Sequence, residues 1–261
     1  MPAIDHAAVH TLPSMQIPAH MAGTPRIGGT SPHPILLHAS PGTTGSMSVY
    51  FALVALGVSS VHYSRQFNAT TQGEITTYEQ DPPGGPVPLI KPLFADTYPA
   101  PPVQVDRAHT LDLRFLEGTD ALLDTPSMEI FFDALATFPN AKVLITPRDP
   151  LEWAATRRER HPTDKVPLLT ALGFQAPLAA VSVEQAAAAQ ALWHRVVAGS
   201  VPPERLLVLD VWNTLGDELW ARLAGFVGRP LPARDDEGNL PPFPHQRYAA
   251  DVHAWGRVGA G

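Results

Sequence analysis

Short apolar runs alternate with longer amphipathic stretches along this chain. Buried strands are predicted where short apolar runs are bounded by turn signals, at residues 35–38, 61–64, 142–146 and 206–210, and residues 121–124 have the composition of a strand end. Helices are predicted where apolar residues recur at helical spacing, at residues 48–57, 128–138, 182–197 and 217–227, and in a stretch that begins at Trp153. Strands that alternate with helices predict a parallel sheet with right-handed crossovers, which is the α/β class.

Several helix ends carry local signals of their own. Asp149 before Pro150 is typical of an N-cap followed by proline at the first helical position. Ser182 begins a capping box. Gly57 and Gly228 are natural helix stops.

The distribution of proline divides the chain into regions. Residues 1–33, with repeated Pro and Gly, are predicted to form an irregular N-terminal arm, and residues 34–250 a single α/β domain followed by a C-terminal tail at 251–261. Within the domain, residues 69–117 are rich in proline and predict a loop-rich insertion. Such an insertion in a compact domain usually serves as a lid or a binding loop.

Composition and charge exclude several classes of function. A formal net charge of −7 lacks the basic surplus of a nucleic-acid binder, and the absence of cysteine removes disulfides and Cys-ligated zinc. The histidines of the arm are not spaced like a metal cluster. The longest apolar run, residues 49–58, is about half as long as a membrane-spanning helix, and the first residues lack a secretory signal. We therefore expect a soluble, cytoplasmic protein without metal, membrane or nucleic acid.

Residues 41–48, between the first strand and its helix, read Pro-Gly-Thr-Thr-Gly-Ser-Met-Ser. Small residues there let backbone N–H groups approach an anion, and the helix N-terminus adds unsatisfied donors and a partial positive charge. An ordinary glycine-rich turn is the alternative interpretation, because an isolated glycine pattern is weak. The Gly-Lys-Ser/Thr signature of nucleotide hydrolases and the three spaced glycines of dinucleotide-binding folds are both absent.

Longer motifs surround this turn. The Thr-Gly-Ser-Met-Ser of the turn leads to Leu-Gly at 56–57, and residues 120–126 read Asp-Ala-Leu-Leu-Asp-Thr-Pro. Residues 138–153 read Phe-Pro-Asn-Ala-Lys-Val-Leu-Ile-Thr-Pro-Arg-Asp-Pro-Leu-Glu-Trp, and residues 242–245 read Pro-Phe-Pro-His. Together these motifs resemble the P-loop sulfotransferase family, in particular its sulfotransferase-like branch from bacteria, fungi and algae. The resemblance covers residues 35–64, 118–160 and 204–246, and the Arg-Asp-Pro-x-x-Trp block is its most specific part.

The resemblance implies a fold and a reaction. The fold is a P-loop NTPase-like three-layer arrangement, with a central parallel sheet flanked by helices. The reaction is transfer of a sulfuryl group from 3′-phosphoadenosine 5′-phosphosulfate to a hydroxyl or amine of a small-molecule acceptor, without a metal. By analogy with phosphoryl transfer, the protein contributes positioning and electrostatics rather than covalent chemistry. The insertion at 69–117 is then expected to shape the acceptor pocket.

The resemblance also implies which residues bind the nucleotide. Arg148 lies just after a predicted central strand, at the sheet edge where ligands gather, and with Thr156 it is expected to hold the 3′-phosphate. A strand-end salt bridge of Arg148 with Asp149 or another carboxylate is the alternative. The 5′-phosphosulfate is expected to lie against the turn, formed by Gly42, Thr43, Thr44, Gly45, Ser46, Met47 and Ser48.

One feature departs from the family pattern. A lysine or arginine usually stands early in the loop, and Thr43 occupies that position here as a candidate catalytic residue. A shifted alignment places Ser40 or Gly42 there instead, and none of the three is basic. Arg65, Lys91 and Arg107 are candidates for a replacement cation, and the sequence does not rank them. The alternative is a catalytically weak or inactive relative.

The acceptor base has several candidates. Asp124 is the first, because a carboxylate at a strand end can take a hydroxyl proton, and its alternative role is to accept a hydrogen bond within the following turn. His62 and His38 are the other candidates, each with a structural role as its alternative. His245 is expected either to close over the site or to anchor a loop.

Three functions therefore compete: an active sulfotransferase, a non-catalytic binding or scaffold protein that kept the fold, and a nucleotide kinase or hydrolase. The missing loop lysine disfavours the third. The oligomeric state stays open, with a homodimer among the candidates.

Overall fold

The computed structural model describes residues 36–62, 65–76, 119–124, 128, 130–163 and 177–244. Its strands are β1 (Leu36–His38), β2 (Ser60–His62), β3 (Arg65–Asn68), β4 (Gly73–Thr76), β5 (Ala121–Leu122), β6 (Lys142–Ile145) and β7 (Leu206–Val208). Its α-helices are α1 (Ser46–Ala55), α2 (Phe131–Thr137), α3 (Pro150–Arg160), α4 (Val183–Ser200) and α5 (Gly216–Val227). Short 3₁₀ turns span Leu178–Ala180 and Pro203–Arg205.

Within these ranges the strands form one sheet in the order β4-β3-β2-β5-β1-β6-β7. The five strands from β2 to β7 in that order are parallel, and β3 and β4 add an antiparallel hairpin at one edge. The predicted α/β class with a central parallel sheet is confirmed. Crossover helices between parallel strands are what such a sheet requires.

Both faces of the sheet are covered by helices, as the continuous apolar strands predict. Successive side chains of a strand point to opposite faces, so neighbours in sequence enter different cores. One core joins the sheet to α2 and α4 and includes Leu37, Val143, Phe131 and Trp193. The other joins it to α1 and α5 and includes Leu36, Leu144, Leu53 and Trp220. The result is the three-layer architecture that the family resemblance implies.

The carboxyl ends of the parallel strands lie at one edge of the sheet. The chain leaves β1 into residues 39–45, β6 into residues 146–149 and β7 into residues 209–215. The end of β2 brings His62 to the same edge, and the end of β5 brings Asp124. In open α/β sheets this edge is where ligands bind, so the fold gathers the predicted site residues in one region.

The helix ends predicted from local sequence signals agree with the structure at three positions. Asp149 caps α3, its side chain accepting a hydrogen bond from the Glu152 amide at 2.8 Å, with Pro150 in the first turn. Ser182 and Gln185 form the predicted reciprocal capping box of α4. Gly228 ends α5 in the left-handed conformation.

Three predicted elements differ from the structure. Helix α1 begins at Ser46 rather than at residue 48, because Gly45 has φ 106° and lets the chain turn directly into the helix. Helix α2 is shorter than the predicted 128–138. The prediction of a buried strand at 206–210 is wrong in its burial: β7 is the edge strand, and Val208 is 43% exposed.

The hairpin β3–β4 was not predicted, since residues from 69 onward read as loop. Its tight turn is held by Asn68, whose side-chain oxygen accepts from the amides of Thr70 at 2.9 Å and Thr71 at 3.2 Å. An asparagine side chain that imitates a backbone turn is a short-range signal, although a weak one.

Candidate active site

The turn after β1 has a backbone that only some residues can adopt. Gly45 has φ 106°, and an added methyl group there would lie 2.4 Å from Cγ2 of Val211. Glycine is therefore required twice at this position, for its backbone angle and for the close approach of the β7 connection. Thr43 has φ 67°, which is rare for a β-branched residue. Strained backbone of this kind is concentrated at functional sites.

Side chains from other elements hold the carbonyl groups of this turn. The indole Nε1 of Trp153 donates to Gly42 O at 2.9 Å, and the indole of Trp212 donates to Thr44 O at 3.1 Å. Between them, Nη1 of Arg148 donates to Thr43 O at 3.0 Å. Trp193 donates in the same way to Ala39 O.

These contacts orient the amides of the turn. In a trans peptide, the N–H points opposite to the carbonyl of the preceding residue. Because the carbonyls of Gly42, Thr43 and Thr44 face their side-chain donors, the amides of the residues that follow them point the other way. The first helical residues Ser46 to Ser48 continue this series, and their N-cap, Gly45, supplies no side-chain acceptor. The turn thus presents consecutive N–H donors suited to an anion.

A buried chain of hydrogen bonds connects the turn to the neighbouring strands. Nδ1 of His38 accepts from the Asp124 amide at 3.4 Å, and Nε2 of His38 lies 2.8 Å from Thr146 Oγ1. That hydroxyl lies 2.9 Å from Thr44 Oγ1, which donates to Pro41 O at 2.7 Å. With the proton on Nε2, every donor in the chain finds one acceptor.

Burial keeps His38 neutral. Its complete burial lowers the pKa from 6.5 to about 3, against the opposing attraction of Asp124. Both ring nitrogens are used for hydrogen bonds within the protein. This geometry fits the structural alternative for His38 rather than the role of a base.

Ser40 extends the network toward α4. Its hydroxyl accepts from the Thr146 amide at 2.9 Å and lies 3.0 Å from Nε2 of His194. Burial lowers the pKa of His194 to about 4, so this ring is also neutral near pH 7. Helix α4 therefore supports the turn through two consecutive residues, Trp193 and His194.

Asp124 and His62, two of the predicted catalytic residues, lie side by side. Nε2 of His62 is 3.1 Å from Oδ2 of Asp124 and 3.2 Å from Oγ of Ser46, the first residue of α1. Both side chains are largely buried, and Asp124 has φ 62°. Nδ1 of His62 is buried and has no hydrogen-bond partner among the described residues. The pair therefore joins the strand ends to the turn after β1, and Nδ1 of His62 is left for a further contact.

Arg148 and Thr156 lie together beside the turn, as predicted. Nη2 of Arg148 is 3.3 Å from Thr156 Oγ1, and the guanidinium stacks on the Trp212 ring at 4.8 Å. The predicted alternative is present as well: Nη2 donates to Glu152 Oε1 at 2.6 Å, so the carboxylate partner is Glu152 rather than Asp149. Glu152 has 59% of its side chain exposed, whereas Arg148 has 11%. Arg148 is thus largely buried beside the turn, with an exposed carboxylate on Nη2.

Several residues of the site were not identified from the sequence, namely Thr146, Trp212 and Arg157, which contact the turn or its network. Thr146 at the end of a predicted strand and Trp212 just after one carried a positional signal, whereas Arg157 carried none. Arg65, a candidate cation, lies over the Phe51 ring at 5.3 Å. Lys91, Arg107 and His245 lie outside the described residues.

The described ranges contain neither a metal-binding cluster nor a membrane-spanning helix. No group of three or more His, Asp or Glu side chains there is arranged to hold a metal ion. Across the same ranges, every helix is too short or too polar to span a bilayer.

Comparison with known proteins identifies the family. The family model described as "Sulfotransferase domain" matches residues 36–199, which is well over half of the chain. The match includes the turn, His62, Asp124, Arg148 and Thr156, and it ends before β7. A search of curated proteins finds no match. The chain therefore belongs to the sulfotransferase family, whose members transfer sulfuryl groups.

Proposed function

We propose that the chain transfers the sulfuryl group of 3′-phosphoadenosine 5′-phosphosulfate to a hydroxyl or amine of a small-molecule acceptor. One observation carries the proposal. Arg148, the predicted ligand of the 3′-phosphate, bonds to the carbonyl of Thr43 within the predicted phosphosulfate turn at 3.0 Å. The two anion-binding parts are thereby joined in one site, which suits a nucleotide with an anionic group at each end.

The polar groups left over in the site fit such a donor. Thr43 Oγ1 and Arg148 Nε are buried and have no partner among the described residues. Buried polar groups normally have a partner, so these atoms are available to hydrogen-bond a ligand. Together with the amides of Gly42 to Ser48, they supply donors for phosphate and sulfate oxygens.

Arg148 and Thr156 form the 3′-phosphate half of the proposed site. A guanidinium and a hydroxyl 3.3 Å apart can bind neighbouring oxygens of one phosphate. Glu152 now occupies the same guanidinium nitrogen, and its exposure lets it move into solvent when a phosphate replaces it. A 5′-monophosphate that lacks the 3′-group is expected to bind more weakly.

The proposed reaction is an in-line displacement at sulfur. A bond forms between the acceptor oxygen or nitrogen and sulfur, while the bond between sulfur and the bridging oxygen breaks and leaves its electron pair on the 5′-phosphate. Asp124 takes the acceptor proton, and His62 at 3.1 Å orients its carboxylate. The turn stabilises the charge that develops on the leaving phosphate.

Calorimetric titration with adenosine 3′,5′-bisphosphate tests the binding half of the proposal. We expect micromolar binding by the unaltered chain and a loss of about tenfold to a hundredfold in Arg148→Ala, since hydrogen bonds to charged groups are strong. Arg160→Ala is the matched control, because it removes the same charge from the exposed end of α3. An unaltered chain that shows no binding at millimolar nucleotide would contradict the proposal.

The absence of a basic residue in the turn favours a second candidate, a binding or scaffold protein without turnover. Both candidates bind the bisphosphate, so binding does not separate them. Incubation with the sulfate donor and a panel of hydroxyl and amine acceptors does, because only an enzyme forms sulfated product. A magnesium-dependent release of phosphate from ATP would instead indicate a kinase or hydrolase.

A further inference from the structure

The turn at residues 40–48 contains no lysine, arginine or histidine. Its amides and hydroxyls supply partial charges, whereas the group proposed to bind there is fully ionised. A full positive charge close to the breaking bond stabilises the transition state far more in a water-poor site than in water. Such a charge has to come from an element outside the turn.

Gly42 has a guanidinium directly against it. A methyl group added at Gly42 would lie 2.4 Å from Nη1 of Arg157, 2.7 Å from its Cζ and 2.8 Å from its Nη2. Gly42 does not have a left-handed backbone, so its φ does not require glycine. The residue is instead small enough to let the Arg157 guanidinium rest on the backbone of the turn.

The position of Arg157 follows from helix α3. Residues four apart lie on the same helix face, and the residue one turn earlier is Trp153, whose indole holds Gly42 O at 2.9 Å. Trp153 and Arg157 thus lie on the same face of α3 and both contact Gly42, Trp153 at its carbonyl oxygen and Arg157 at the position of its missing side chain. Arg157 also lies in the last turn of α3, where the helix dipole favours a cation.

Arg148 is placed differently. Its guanidinium bonds to Thr43 O, Glu152 and Thr156, and it stacks on Trp212. Arg148 therefore lies on the side of the turn that faces Thr156. Arg157 lies at Gly42, one residue before Thr43.

We propose that Arg157 provides the positive charge of the phosphosulfate turn and stabilises the electron pair left on the 5′-phosphate when the bond from sulfur to the bridging oxygen breaks. The proposal rests on the function proposed above. In that reaction the acceptor's new bond to sulfur replaces the broken one, and the acceptor proton goes to Asp124. Arg157 transfers nothing and acts by charge alone.

The test uses the full chain and the variants Arg157→Gln and Arg158→Gln. Arg158 is the matched control, because it is the next residue of α3 and its guanidinium reaches Ala179 O at 3.5 Å. Binding of adenosine 5′-phosphate and of adenosine 3′,5′-bisphosphate is measured by calorimetry, and kcat with the sulfate donor and an acceptor is measured in parallel. The two nucleotides share the 5′-phosphate and differ only in the 3′-phosphate.

For Arg157→Gln we expect kcat to fall on the order of 10²- to 10³-fold, as for removal of one oxyanion donor. Affinity for adenosine 5′-phosphate should fall about tenfold. The preference for the bisphosphate, measured as the ratio of the two dissociation constants, should change by less than about twofold. Arg158→Gln should change none of these. A collapse of the preference would place Arg157 at the 3′-phosphate and overturn the proposal, as would an unchanged kcat and affinity.

Two further variants separate charge from packing. Gly42→Ala moves the guanidinium aside while keeping it in the chain, and should reduce kcat in the same direction as Arg157→Gln. Thr43→Lys in the Arg157→Gln background returns a cation to the turn and should raise kcat at least tenfold above that of Arg157→Gln. If kcat does not recover while nucleotide binding stays intact, Arg157 does not act through its charge.

The binding measurements also separate this proposal from the function on which it rests. If the unaltered chain binds both nucleotides but shows no turnover, the proposed activity fails. The affinities of the unaltered chain and of Arg157→Gln for adenosine 5′-phosphate then still show whether Arg157 contributes to phosphate binding at the turn. An unaltered chain that binds neither nucleotide overturns both proposals.

Discussion

His38 on β1 and Thr146 after β6 hydrogen-bond to each other at 2.8 Å, across two neighbouring parallel strands. Through Thr44 and Asp124 the same pair touches both halves of the candidate site. The anion-binding turn and the candidate base are therefore parts of one buried network. A neutral His38 is a condition for this network, because Nδ1 must accept a hydrogen bond.

The first prediction is that acid destabilises the protein. His38 and His194 have folded-state pKa values of about 3 and about 4, below the ordinary 6.5, so the unfolded chain binds protons that the folded chain rejects. Stability is therefore fully present above about pH 6.5 and falls as the pH drops toward these values, by up to about 1.4 kcal/mol per pH unit for each histidine. Urea unfolding between pH 7 and pH 4 measures this slope. His38→Gln should reduce this slope by the contribution of one proton. An unchanged slope would contradict the low folded-state pKa of His38.

The second prediction concerns the candidate base. Asp124→Asn should lower kcat about 10²- to 10⁴-fold, because the amide cannot accept the acceptor proton. Asparagine tolerates the left-handed backbone of this position, so the fold should be retained. Initial rates with saturating donor provide the measurement, and bisphosphate affinity should change little. Asp236→Asn, in an exposed turn, is the control; equal effects of the two variants would argue against Asp124 as the base.

The third prediction separates backbone strain from steric conflict. Gly45→Ala places a methyl group 2.4 Å from Val211 at a φ of 106°, whereas Gly57→Ala meets nothing within 4 Å at a φ of 65°, inside the left-handed region that other residues can adopt. Gly57→Ala should cost about 1 kcal/mol of unfolding free energy, and Gly45→Ala clearly more, since a clash adds to the strain. Gly45→Ala should also weaken nucleotide binding. Chemical denaturation and calorimetry measure the two effects, and equal costs for both variants would show that Val211 gives way freely.

The fourth prediction tests how the turn is oriented. Trp153→Phe removes the donor to Gly42 O, and Trp220→Phe removes an equivalent buried donor to Pro241 O, at 2.7 Å and away from the turn. Each leaves a carbonyl without its partner and should cost about 1–3 kcal/mol of stability. Only Trp153→Phe should also weaken bisphosphate binding. Comparable binding by both variants would mean that the indole is not needed to orient the turn.

The fifth prediction concerns the carboxylate that shares Arg148. Glu152→Gln should tighten bisphosphate binding about two- to fivefold, because an exposed ion pair of this kind is worth only about 0.2–1 kcal/mol. Glu218→Gln is the control, since Glu218 is equally exposed and pairs with Arg222 at the same spacing of four residues, in the opposite order and away from the turn. Titrations at low salt measure the difference. Weaker binding by Glu152→Gln would show that Glu152 instead positions the guanidinium.

The sequence predicted the layered fold and the grouping of several candidate residues at one edge of the sheet, for a physical reason. Parallel strands end at one edge, so residues that follow strands meet there whatever the length of chain between them. The grouping of Asp124, Arg148 and the turn follows from this rule. The cap at Asp149 was predictable because it depends on the next three residues alone.

The remaining parts of the site depend on long-range packing. Trp193, Arg157 and Trp212 reach the turn from helices or connections far away in sequence, and their types alone indicate only buried or charged helix positions. The hairpin β3–β4 depends on pairing with β2 at a sheet edge, which no local period shows. The proposed role of Arg157 on α3 depends on the same kind of long-range packing.

The contacts made by the indole groups have a practical consequence. The chain has five tryptophans, and three of them, Trp153, Trp193 and Trp212, donate to carbonyls of residues 39–44. Indole emission responds to the electric field and hydrogen bonding of its surroundings, and three of the five indoles in this protein adjoin a single short segment. The intrinsic tryptophan fluorescence of the unlabelled chain should therefore change when a ligand binds to that segment.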